Sequence, residues 1–101
     1  MLPIKEFEKR FREILESLDE IRDNAEGDGA ESMDELNAGY EDALFVIECI
    51  GPDDEDRDEA FSDALDEFGD LIEEYETLDV PGLDEIIGRL NMTVSLARNN
   101  L

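Results

Sequence analysis

The sequence predicts an all-α fold, an antiparallel four-helix bundle formed by a single domain over residues 1–101. Three observations predict it. Apolar residues recur at three- and four-residue spacing in four segments, and no run alternates in the manner of a strand. The breaks between segments are short and contain glycine or proline, which favours antiparallel neighbours. Apolar residues make up 41% of the chain, enough to fold despite its charge. A chain of 101 residues builds one modest core.

The first helix is predicted over about residues 3–25. Pro3 suits a first turn, and Ile4, Phe7, Phe11, Ile14, Leu15, Leu18 and Ile21 form its stripe. The Gly27-Asp28-Gly29 loop ends it. The second helix is predicted over residues 33–50, opened by Ser32 with Glu35 three residues later, a capping-box pattern. Met33, Leu36, Tyr40, Ala43, Leu44, Ile47 and Ile50 line its face, and Phe45, Val46 and Cys49 widen it, which makes this the most buried helix. Gly51-Pro52 stops it.

The third helix is predicted over residues 54–78, burying Phe61, Ala64, Leu65, Phe68, Leu71, Ile72, Tyr75 and Leu78. Asp79-Val80-Pro81-Gly82 breaks the chain. The fourth, over residues 83–98, presents Leu83, Ile86, Ile87, Leu90, Val94 and Ala97, with Leu96 and Leu101 as additions to that face. Gly39, Gly69 and Gly88 sit inside helices, where each costs about 1 kcal/mol relative to alanine. Close approach of a neighbouring helix is the expected reason.

Charge is the dominant feature. The chain carries 31 acids and 8 bases, a net charge of −23. Residues 1–22 are nearly balanced at −1, and residues 88–101 hold two arginines and no acid. Residues 23–87 hold 25 acids against the lone Arg57. Direct binding to nucleic acid, acidic substrates or anionic membranes is therefore disfavoured.

The first helix pairs its charges in the ordinary way, Glu6 with Arg10, Glu8 with Arg12 and Lys9 with Glu13. The third does not. Asp56, Glu59, Asp63, Asp66, Asp70 and Glu73 follow one another at three- and four-residue spacing, on the face opposite the apolar stripe. Asp53, Asp54 and Glu67 flank that line. From Asp53 to Asp79 there are fourteen acids, about 3 Å of axis per charge if fully helical, near the 3.4 Å per phosphate of one DNA strand. The nine named carboxylates are the candidate partner-binding residues.

A small, cysteine-poor chain with the helix DDEDRDEAFSDALDEFGDLIEEYE resembles the acidic DNA-mimic inhibitors of phages and mobile elements, of the anti-CRISPR and anti-restriction type. The resemblance covers composition and residues 53–79 and has no diagnostic motif. It implies a basic nucleic-acid-binding partner, a nuclease above all, blocked by competition at its phosphate-gripping groove. The alternative is an acidic interaction module that mimics nothing: an immunity protein, a chaperone for a basic partner or a halophile domain. A halophilic coat would cover the whole surface, whereas here the two chain ends are balanced or basic.

Other chemistries fit less well. Residues 24–35 match a calcium-binding EF-hand frame at Asp28, Gly29 and Glu35 but depart from it at Asn24, Glu26 and Glu31. A glycine hinge before a capping box explains the same residues. Carboxylate pairs such as Glu13–Glu16 or Asp63–Asp66 have magnesium-binding spacing, yet no acid interrupts the apolar stripes, where bundle metal ligands project. With no histidine and no phosphate loop, neither catalysis nor a metal or other cofactor is expected. Cys49, the only cysteine, is read as a small core residue that fits a reducing cytoplasm. No secretory h-region or membrane-length apolar run is read. Tyr40 and Tyr75 are expected in the core. The acid-free polar back of the fourth helix is expected beside the first helix or in a homodimer contact.

Overall fold

The computed structural model describes residues 4–51 and 53–100, with Leu101 and Pro52 among those outside it. Four helices make up the fold: α1 Ile4–Asn24, α2 Asp28–Glu48, α3 Arg57–Tyr75 and α4 Leu83–Asn99. Each packs on two neighbours, in the order α1, α2, α3, α4 and back to α1. Cross-helix contacts fix the directions. Arg12 meets Glu48 while Arg22 meets Asp34, so α1 and α2 are antiparallel. Across the diagonal, Phe7 lies 5.8 Å from Phe61 and Phe11 lies 4.4 Å from Phe68, so α1 and α3 run the same way. The result is an up-down-up-down bundle of 44 × 21 × 19 Å.

The stripes predicted from sequence meet along the axis. Phe7, Phe11, Leu18, Met33, Leu36, Tyr40, Phe61, Leu65, Phe68, Leu83 and Leu90 are fully or almost fully shielded from water. Burial of each such side chain contributes about 1.5–3 kcal/mol. At the centre, the Phe68 ring stacks on Phe11 and tilts against Tyr40 at 4.8 Å. The Tyr40 hydroxyl donates to the Phe11 carbonyl at 2.6 Å, which satisfies the one polar end of that aromatic group. Tyr75 is also buried.

α2 starts five residues before the predicted 33. Gly27 takes a positive-φ conformation open mainly to glycine (φ 66°, ψ −137°), and its carbonyl accepts from the Ala30 N–H at 3.1 Å. The helix therefore opens at Asp28, placing Asp28 and Glu31 in its first turn, where the helix dipole favours anions. Ser32 and Glu35 are interior residues rather than a capping box. The EF-hand frame is likewise overturned, because Asp28 to Glu35 is helix and the α1–α2 loop is only residues 25–27.

α3 is shorter than predicted, 19 residues instead of 25. Asp54 Oδ1 accepts from the Asp56 N–H, a local side-chain turn that competes with helix, and the chain turns through Asp54 N–H to Gly51 carbonyl. At the other end, Leu78 N–H bonds Tyr75 carbonyl and Val80 N–H bonds Leu78 carbonyl, which closes the helix at Tyr75. Val80, read as part of a break, is buried.

Three residues assigned to the apolar faces lie outside the core, Leu96 of α4 among them at 42% exposed. Phe45 is 64% exposed and Cys49 is exposed at the C-cap of α2. α1 and α3 cover α2 on two sides, and Phe45 and Cys49 fall on the third, outward side. Close approach explains Gly39, where a methyl group would come within 3.0 Å of Leu71 on α3. It does not explain Gly88, which faces open space.

Candidate acidic interface

Of the nine candidate carboxylates, all are exposed. Asp63, Asp66, Asp70 and Glu73 share one face of α3 with Glu59, and Asp56 joins them as the N-cap. At ~100° per residue the six fall within an arc of about 100°, centred opposite Phe61, Leu65, Phe68 and Ile72. The rail is thus a continuous ridge. Asp53 and Asp54 are not on it. They belong to the turn before α3, so the helical part of the acidic track spans 19 residues, about 28 Å.

Where α3's charge is tolerated, neighbouring helices supply the cations. Arg98 of α4 donates to Asp66 Oδ1 at 2.8 Å. On the far seam, Arg12 of α1 reaches Glu48 of α2 at 2.6 Å and Glu8 at 3.6 Å, and Arg22 lies within 4 Å of Asp19, Asp23 and Asp34. The hydrogen bond and charge of Glu48 raise the pKa of the Arg12 guanidinium above its usual value. Glu6 and Arg10 pair at 3.8 Å, whereas the expected Lys9–Glu13 pair does not form among the described residues. Arg12, Arg22 and Arg98 therefore sit at seams between helices. Asp63, Glu67, Asp70 and Glu73 make no ion pair among the described residues.

The sequence reading centred on α3 and missed α2. That helix carries seven acids (Asp28, Glu31, Asp34, Glu35, Glu41, Asp42 and Glu48) and no base. It packs directly beside α3, which carries eight acids and Arg57. α1 and α4 are also adjacent, and between them hold nine acids and seven bases. The bundle accordingly has an acidic side, α2–α3, and a nearly balanced side, α1–α4. α4, which holds no acid beyond Glu85, does pack beside α1, one of its two expected placements. The run of nine acids and no base between Asp23 and Glu48 was the available signal for α2.

Between α2 and α3 lies a shallow, open depression of about 290 Å³, lined by Gly39, Asp42, Glu67, Asp70 and Leu71. The missing side chain at Gly39 leaves Leu71 as its apolar floor, with three carboxylates around it. A lysine or arginine stem fits such a surface, its methylenes on Leu71 and its charge among the acids. Among the described residues, no three acidic or cysteine side chains gather closely enough to hold a metal ion. No described helix is long and apolar enough to cross a membrane.

Compared with protein-family models, curated proteins and solved structures, the chain finds no match.

Proposed function

We propose that the protein is a binding protein whose α2–α3 side occupies the basic, phosphate-gripping groove of a nucleic-acid-binding partner such as a nuclease, excluding nucleic acid by competition. The observation that carries this reading is the carboxylate ridge on α3, paired only at Asp66 among the described residues. Asp63, Asp70 and Glu73 stand exposed on the face opposite the core and make no ion pair among the described residues. A groove lined by lysine and arginine supplies the missing counter-charges, and the α2–α3 depression receives one of those side chains. Because attraction between exposed charges is screened, binding weakens steeply with salt.

The test is capture from a bacterial lysate by the immobilised protein, followed by displacement with double-stranded DNA. The mimic reading expects DNA to release the captured protein and the Asp63→Lys, Asp70→Lys, Glu73→Lys triple variant, helical by circular dichroism, to capture none of it. Retention in the presence of saturating DNA, or capture unaffected by the three reversals, sinks it.

One observation favours the alternative, an acidic docking module without mimicry. Phe45 stands exposed on the outward face of the acidic α2, and an apolar anchor serves a protein interface rather than a copy of a phosphate backbone. In that case Phe45→Ala weakens capture at least tenfold, and DNA displaces nothing.

A further inference from the structure

The outward face of α4 differs from the rest of the helical surface. Residues 88–100 contain no acid. Gly88, Met92 and Leu96 recur every four residues and so share one face. Met92 is 74% exposed and Leu96 42% exposed, and Gly88 leaves open space where a side chain would stand. One exposed apolar residue is ordinary. Two on consecutive turns, beside a gap and away from every carboxylate ridge, form a patch with a knob and a hole.

We propose that this face is where a second copy of the chain docks, α4 against α4 in antiparallel, about a two-fold axis at Met92. Charge selects the occupant. A net charge of −23 makes two copies repel wherever carboxylates face each other. At α4 they do not. A basic partner, in contrast, is drawn to α2–α3 and gains little from a face whose one acid, Glu85, lies beside the exposed Arg89. The two-fold axis sets Met92 against the second copy's Met92 and lays Leu96 over the second copy's Gly88, where no side chain obstructs it. Glu85, the acid nearest the patch on that face, comes level with the second copy's Asn99 rather than with another acid. Both α2–α3 sides then point away from the contact.

A single helix pair covers less than the roughly 800 Å² per partner of a standard interface, so the dimer is weak. Screening relieves the residual repulsion between the two acidic bodies, so salt tightens it. This is opposite in sign to the effect of salt on capture of a basic partner, so the two readings fail independently.

Sedimentation equilibrium on the whole chain, from about 10 to about 1,000 µM in about 0.05 and about 0.5 M sodium chloride, tests the proposal. A monomer–dimer equilibrium is expected, at least threefold tighter at the higher salt, with the Met92→Glu, Leu96→Glu variant monomeric and equally helical. In a Cys49→Ser background, oxidised Met92→Cys is expected to crosslink at least tenfold faster than Asp42→Cys at the α2–α3 depression. A wild-type chain monomeric at the highest concentration and salt, a dimer indifferent to the two glutamates, or equal crosslinking rates each overturns it.

Discussion

The Arg98 guanidinium of α4 meets the Asp66 carboxylate of α3 at 2.8 Å, joining the end of one helix to the middle of the other. Both side chains are about half exposed, 44% and 64%, so the pair contributes little stability. A double-mutant cycle with Arg98→Ala and Asp66→Ala is expected to return a coupling of about 0.2–1 kcal/mol in urea unfolding. Arg98→Ala also frees one carboxylate of the ridge. Elution of a captured basic partner is then expected at higher salt than from the wild-type chain.

Stability is expected to rise with ionic strength. Glu59–Asp63, Asp63–Glu67, Asp66–Asp70 and Asp70–Glu74 are like-charged neighbours one turn apart on α3, each opposing the helix by about 0.2–0.5 kcal/mol. Urea unfolding in low and in about 0.5 M sodium chloride is expected to differ by about 1–2 kcal/mol in favour of salt. Asp70→Asn, which relieves two of the pairs, is expected to gain a few tenths of a kcal/mol at low salt and nothing at high salt.

Tyr40 should make the fold sensitive to alkali. Burial, the main cause, raises its pKa far above the ordinary 10.0, against a small opposing effect of Arg89. The folded protein therefore keeps the phenolic proton that the unfolded chain releases above about pH 10. The contribution is fully present below that pH and is lost as pH rises beyond it. Chemical unfolding followed from pH 8 to 11 is expected to show a decline that is shallower in Tyr40→Phe. That variant also loses about 0.5–1.5 kcal/mol at neutral pH with the Phe11 carbonyl bond.

Phe68 is the central packing residue, in contact with Phe11 from α1 and Tyr40 from α2. Phe68→Ala is expected to cost about 3–5 kcal/mol in urea unfolding.

Asn37 offers the opposite experiment. It is 1% exposed; its amide donates to Asp19 at 2.8 Å, but its Oδ1 has no hydrogen-bond partner among the described residues. An orphan acceptor of this kind costs about 1–3 kcal/mol. Asn37→Leu is expected to stabilise the bundle by about 1 kcal/mol or more; a loss of stability would mean that the Asp19 bond outweighs the orphan.

The number of helices, their order and nearly all of the core were readable from apolar spacing, because burial along a helix leaves a period. What spacing could not reveal was where each helix starts. The Ser32–Glu35 pattern is a common capping signal, but the positive-φ turn at Gly27 lets α2 begin at Asp28, one turn earlier. The Asp54–Asp56 turn likewise removes Asp53 and Asp54 from the rail. Phe45 and Cys49 were misplaced because a stripe's edge depends on which neighbours cover it, and sequence does not state that. The same limit hid α2 from the candidate interface. Its acids were countable, but their merging with those of α3 follows from the adjacency of the two helices.

Confining the arginines and lysines largely to α1 and α4, opposite α2 and α3, has a consequence beyond any single contact. The centres of positive and negative charge do not coincide, so the molecule has a large permanent electric moment directed across its short axis. In the field of a cationic surface it experiences a torque as well as an attraction. It should therefore arrive already turned, with α2 and α3 leading and α4 trailing.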